Sequence, residues 1–313
     1  ILQLLIQVLP LWQINRLPVP KMNMSNPGVK KFFKLILPAI LAGGIIQINL
    51  LVDTIFASFL ETGSPTWLYV SDRLIQFPMG IFAIAIGTVL LPTLSKYDVD
   101  VEKDKFINAI QNGQRFVLFI GIPCLIGLFF CAEDLISTIF YRGAFSDIDV
   151  INSSYSLMIF SFGLPFFMLM KVLTPAFFAR KDTKTPMYVA LISLLLNATF
   201  NYYFAFVLDY GHVGIAIGSS LAATISVFIL EISLYKNGFI KVKNIFNIFN
   251  LNILLSSICL IIFLYFCTSY LDFMKLSQIE RIFYLLLEVA VSIIIYFSVS
   301  RLILRKPFKL LFN

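Results

Sequence analysis

The chain has 313 residues, of which 59% are hydrophobic and 13% charged, with a formal net charge of +7. Its mean hydropathy is +0.90, whereas a soluble domain holds about 45–50% apolar and about 25% charged residues. These values exclude a water-soluble globule, a disordered chain and a disulfide scaffold, and they fit a chain built for a bilayer.

In chain order, Ile1–Trp12 reads as the end of an apolar helix already under way, so a preceding segment of a longer protein is expected. Residues 1–32 are read as that helix end plus a cytoplasmic connection. Eight mostly apolar segments long enough to span a membrane follow, at 33–60, 67–94, 116–140, 151–178, 186–208, 212–236, 248–270 and 281–304. Turn and stop signals separate them, among them Gly63-Ser64-Pro65, the run from Asp98 to Asp104, Arg142-Gly143, Thr185-Pro186, Asp209-Tyr210-Gly211 and Asn237-Gly238. Without the alternation of a β-barrel, runs of this composition predict an all-α, polytopic integral membrane protein. The first six spans form one unit over 33–240, and the last two with a basic C-terminus form another over 241–313.

Charge sets the expected orientation. Nineteen of the 24 Lys and Arg residues fall in the N-terminal segment, every second connection and the C-terminal segment. Only Arg142, Lys275 and Arg281 fall on the opposite side. This bias predicts both chain ends in the cytoplasm. It also accounts for the positive charge without nucleic acid, since no basic run is interleaved with aromatic residues on a polar segment.

A charge at mid-membrane costs at least about 2.5–3.5 kcal/mol, so each polar residue in a span needs a reason. Arg73 lies about six residues into the second span, roughly 9 Å deep. Its guanidinium fork suits phosphate oxygens, although snorkelling or a structural pair accounts for the same residue. Asp72 is adjacent but about 100° round the helix, and Pro78 predicts a kink. Asp53 in the first span and Asn197 and Asn201 in the fifth offer oxygens suited to sodium. Interhelical hydrogen bonding is the competing reading. Lys171 lies near the inner end of the fourth span, beside the basic loop Arg180-Lys181-Asp182-Thr183-Lys184, where a gate contact or snorkelling would occupy it. Glu231 is expected to pair with Lys236 or to snorkel, and Glu288 has no evident role. His212 is read as interfacial. Cys124, Cys131, Cys259 and Cys267 lie in apolar runs without metal-ligand spacing and read as buried thiols. No nucleophile–base constellation, phosphate loop or dinucleotide fingerprint is present, so an enzyme is not expected.

Several motifs in order resemble the MurJ/MviN family, lipid II flippases of the multidrug/oligosaccharidyl-lipid/polysaccharide (MOP) exporter superfamily. They are Pro38-Ala39-Ile40-Leu41, the run from Asp53 to Leu60, Ser71 to Pro78, Gly87 to Ser95, Phe140 to Phe145, and the long run from Lys171 to Pro186. The resemblance implies the second half of a two-lobe transporter: its C-terminal lobe plus two extra helices, with the N-terminal lobe outside this sequence. It implies alternating-access flipping of an undecaprenyl-diphosphate-linked peptidoglycan precursor across the bacterial cytoplasmic membrane, with lipid II and membrane lipids as partners. It further implies Arg73 as a cavity cation for the diphosphate, with Asp72 and Lys171 nearby. It assigns Asp53, Asn197, Asn201 and Ser219 to a sodium site, Asn201 replacing an acid found in some members. Rival readings are a drug or polysaccharide exporter of the same superfamily, an inactive truncated remnant, and a membrane enzyme acting on lipid carriers.

Overall fold

A computed structural model describes residues 2–14, 27–98, 101–240, 248–270 and 273–303. The expected connection at 15–26, with Arg16 and Lys21, lies outside these residues, as do Lys241, Lys243, Arg305, Lys306 and Lys309. The helices are α1 (Leu2–Gln13), α2 (Pro27–Ser58), α3 (Ser64–Pro78), α4 (Ala85–Lys96), α5 (Lys103–Phe130), α6 (Ala132–Phe140), α7 (Asp147–Ala179), α8 (Lys184–Tyr202), α9 (Gly211–Lys236), α10 (Ile248–Tyr270) and α11 (Gln278–Ile303). No strand occurs among the described residues. Eight stretches among them are long and apolar enough to cross a membrane, and they correspond one to one with the eight expected spans. Two compact units divide the chain, Ile1–Leu37 and Pro38–Asn313. The first holds α1 and the opening turns of α2.

Within the second unit α7 is the hub, packing on α3, α4, α5, α6 and α9. Leu157, Leu164, Met168, Val172, Leu173, Ala176 and Phe177 along it are fully buried. A helix apolar on all sides belongs inside a bundle, and α7 shows why its sequence lacks a polar face. Its start is set by a capping box: Ser146 Oγ accepts from Asp149 N, and Asp149 Oδ2 accepts from Ser146 N at 2.8 Å. Its end is set by Lys181 in the left-handed region (φ 60°), which lets Asp182 N reach back to Phe177 O at 3.0 Å. Asp182 then caps α8 through Thr185 N and Oγ1, at 3.1 and 2.7 Å.

Two expectations are corrected, and a third is given its form. After Pro78, a π-helical stretch, Met79–Ile84, carries α3 into α4 as one helix from Ser64 to Lys96. Such a stretch, like the proline before it, is a place where helices kink. The span expected at 116–140 begins at Lys103, because the helix continues through the polar residues that precede the apolar run. It breaks at Cys131 (φ −91°, ψ 20°), where Glu133 and Asp134 open the separate helix α6. Acidic residues favour a helix N-terminus. Glu231 does not pair with Lys236; it accepts from Gln114 Nε2 of α5 at 2.9 Å.

The last two helices pack together, and α10 also packs on α5. Phe119, Phe249, Leu260, Leu264 and Tyr296 form a second apolar cluster there. Tyr296 OH donates to Phe119 O at 2.8 Å, and Asn252 Nδ2 donates to Ser300 Oγ at 2.8 Å. Polar groups removed from water need such partners, which makes these bonds specific fasteners.

Candidate ion and substrate sites

Close helix approach builds the first site. Gly214 and Gly218, four apart on α9, face the end of α8, where a π-helical turn (Tyr203–Val207) follows. A Cβ at Gly214 would stand 2.6 Å from Ala205 N, and one at Gly218 would stand 2.3 Å from Asn201 Oδ1. Small residues at this spacing let membrane helices touch backbone to backbone. That approach places Ser219 of α9 beside Asn197 and Asn201 of α8, and α2 brings Asp53 to the same place.

The four side chains form one hydrogen-bonded cluster. Asn201 Nδ2 donates to Asp53 Oδ1 at 2.6 Å and to Asn197 Oδ1 at 3.0 Å. Ser219 Oγ donates to Asp53 Oδ2 at 3.2 Å and accepts from Asn197 Nδ2 at 2.9 Å. Asn197 and Asn201 are fully buried, and Ser219 is nearly so. The buried Asn201 Oδ1 has no hydrogen-bond partner. A single carboxylate, two amide carbonyls and a hydroxyl make an all-oxygen donor set with one negative charge. Hard cations take oxygen ligands, so the residues present fit a monovalent ion, and the unpartnered Asn201 oxygen is a donor left over for it.

The second group lies on α3. Arg73 is nine residues from Ser64, about 14 Å along the axis, farther from the helix start than expected because α3 starts earlier. It is exposed, and its guanidinium lies over the Tyr69 ring at 4.7 Å. Gln76 links it to its neighbour: Arg73 donates to Gln76 Oε1 at 3.4 Å, and Gln76 Nε2 donates to Asp72 Oδ2. The bridging Gln76 was missed from sequence, although spacings of three and four on a helix were the available signal. Asp72 therefore steadies the amide that steadies Arg73, without a direct ion pair. Lys171 is half-buried on α7, where its backbone carbonyl lies against Gly87 of α4. No hydrogen bond among the described residues joins it to Arg73 or Asp72. The basic loop has a different anchor: Arg180 lies over the Phe239 ring at 3.6 Å, with Lys103 over the same ring at 5.0 Å.

At the opposite end of the helices, Trp67 Nε1 donates to Asp149 Oδ1 at 2.7 Å, and its ring meets His212 at 4.8 Å. His212 Nε2 lies 3.1 Å from Asn152 O. This ties α3, α7 and α9 together, which gives His212 a packing role at its helix start.

Among the described residues, eight spans, helices interrupted by π turns, and polar clusters held inside the bundle define a helical, polytopic membrane protein. The fold is similar to that of a solved MOP superfamily transporter from Pyrococcus furiosus, which superposes with a TM-score of 0.60 at 14% identity, over 90% of this chain and 68% of that one. The family described as "Lipid II flippase MurJ" matches residues 1–287, and the chain belongs to that family. It is 44% identical over 219 residues to the probable lipid II flippase MurJ of Vibrio cholerae, covering 70% of this chain and 41% of that protein. It is 37% identical over 303 residues to the Haemophilus influenzae counterpart, covering 95% and 59%. A solved structure titled as lipid II flippase MurJ in an inward closed conformation matches with a TM-score of 0.71 at 29% identity, over 89% of this chain and 56% of that one. The chain thus spans about half the length of the relatives it matches.

Proposed function

We propose that this chain forms the lobe and final helix pair of a lipid II flippase working by alternating access in the bacterial cytoplasmic membrane. The observation that carries the reading is Arg73, an exposed cation about 14 Å along an interrupted membrane helix and free of a direct carboxylate pair, in a chain of the MurJ family. Its fork matches a diphosphate, and the Asp72–Gln76 relay orients it without neutralising it. Lys171 adds positive charge toward the inner end of α7. The length of the relatives that this chain does not span supplies the facing wall of the cavity. Both chain ends lie in the cytoplasm, as the basic connections imply. Asp53, Asn197, Asn201 and Ser219 hold sodium, whose charge offsets Asp53 and ties α2 to α8 and α9.

The test is complementation of a flippase-depleted cell with variants of the intact protein, checked for equal membrane abundance. Arg73→Ala abolishes growth support. Arg73→Lys keeps charge but loses the two-pronged contact, and it falls between the two. A charge-assisted hydrogen bond is worth about 1.5–3 kcal/mol, roughly ten- to a hundredfold in affinity. Full growth with Arg73→Ala at normal abundance overturns the substrate role.

A further inference from the structure

Away from both sites, three side chains that the sequence scatters meet inside the bundle. Cys131 sits at the break between α5 and α6, Asp134 lies one turn on in α6, and Glu288 projects from α11. The Cys131 sulfur and one carboxylate oxygen from each acid all lie within 4.8 Å of one another. The three residues are 4%, 6% and 7% exposed, so each is more than nine-tenths buried.

The acids are not neutralised by protein groups. Asp134 Oδ2 and Glu288 Oε1 are buried without hydrogen-bond partners. Neither carboxylate makes an ion pair among the described residues. The buried cation two turns before Glu288, Arg281, spends its donors elsewhere: on Phe273 O at 2.7 Å, Met274 O at 2.9 Å and Ser137 O at 3.4 Å. Glu288 takes a hydrogen bond from the Cys131 thiol, yet both acids remain without a counter-cation in an apolar bundle, which costs several kcal/mol unless something compensates them.

We propose that Cys131, Asp134 and Glu288 form a site for a divalent transition metal of the zinc class, which fastens the last helix to the α5–α6 break. A thiolate with two carboxylates suits zinc, whose bonds run about 2.3 Å to sulfur and about 2.0–2.2 Å to oxygen. Closing the cluster to those lengths takes small side-chain movements. Calcium and magnesium fit poorly, because they call for six or more oxygen ligands, and thiolate selects softer metals. The frame is already rigid: Gln278 Nε2 donates to Thr138 O at 2.8 Å, so the start of α11 is registered on α6 before any metal binds. The site stands apart from Arg73 and from the Asp53 cluster, and its test is independent of the flippase reading.

The experiment uses the intact protein in detergent, stripped with a chelator and titrated with cobalt(II), then zinc. One equivalent of cobalt binds, with a thiolate-to-cobalt charge-transfer absorption that zinc displaces, and zinc raises the unfolding temperature. Cys131→Ser removes the absorption and the stabilisation. Glu288→Gln and Asp134→Asn each weaken zinc more than about tenfold, the loss that even an outer-shell partner causes. A folded wild-type protein that takes up neither metal at micromolar concentration overturns the proposal. Absorption that survives in Cys131→Ser also overturns it. Should Cys131→Ser fail to fold, Glu288→Gln decides, since it keeps the thiol and the side-chain volume: unchanged zinc affinity there refutes the site.

Discussion

The substitution Gly218→Ala tests how helix approach builds the ion site. An alanine Cβ would stand 2.3 Å from Asn201 Oδ1, 3.0 Å from Asn201 N and 3.2 Å from Phe200 Cβ, where ordinary contact begins at 3.4 Å. The Asn201 amide must retreat by about 1 Å, or α9 must back away from α8. Overpacking of this kind costs about 1–3 kcal/mol. Rotation of the Asn201 side chain relieves the clash but removes its contact with Asp53, so the ion loses a donor by either route. A ligand at a hundred times its Kd stabilises by about 2.7 kcal/mol, and each tenfold loss of affinity removes about 1.4 kcal/mol of that. The assay is thermal unfolding of the intact protein in detergent, in sodium chloride against choline chloride at equal ionic strength. Gly218→Ala lowers the unfolding temperature and shrinks the sodium increment. Gly127→Ala is the control: nothing lies within 4 Å of its Cβ position, so the increment stays whole. Wild-type stability with a full sodium increment in Gly218→Ala would refute the argument.

Asp53→Asn keeps the side-chain volume but removes the charge. It abolishes the sodium-specific increment in the same assay, and a retained increment excludes Asp53 as a ligand. Reporter fusions after Ser64, Ser146 and Asp209 read as outside, and fusions after Asp100, Lys184 and Lys241 read as inside; a cytoplasmic signal at Ser146 contradicts the orientation. Tyr296→Phe deletes the buried bond to Phe119 O, leaves that carbonyl short of a partner, and costs about 0.5–1.5 kcal/mol in unfolding measurements. No loss there overturns this reading, since Pro123, four residues on from Phe119, has no N–H to replace the lost donor.

Sequence alone determined the number of stretches long and apolar enough to cross a membrane, because that follows from transfer energies that act residue by residue. It also singled out Arg73, Asp53, Asn197 and Asn201, since an ionisable or amide group in a hydrophobic run stands out without any partner in view. Helix interruptions were harder to read. Pro78 announced a disturbance but not its form, and whether a helix bends or widens depends on the neighbours that take up the freed backbone groups. Gln114 with Glu231, and the meeting of Cys131, Asp134 and Glu288, left no local trace. Asn201 and Ser219 reach Asp53 across 148 and 166 positions of sequence. Such pairings depend on which faces of separate helices the packing turns toward each other. Here that was decided by Gly214 and Gly218 letting α9 close on α8, and by a buried α7 holding the remaining helices around it.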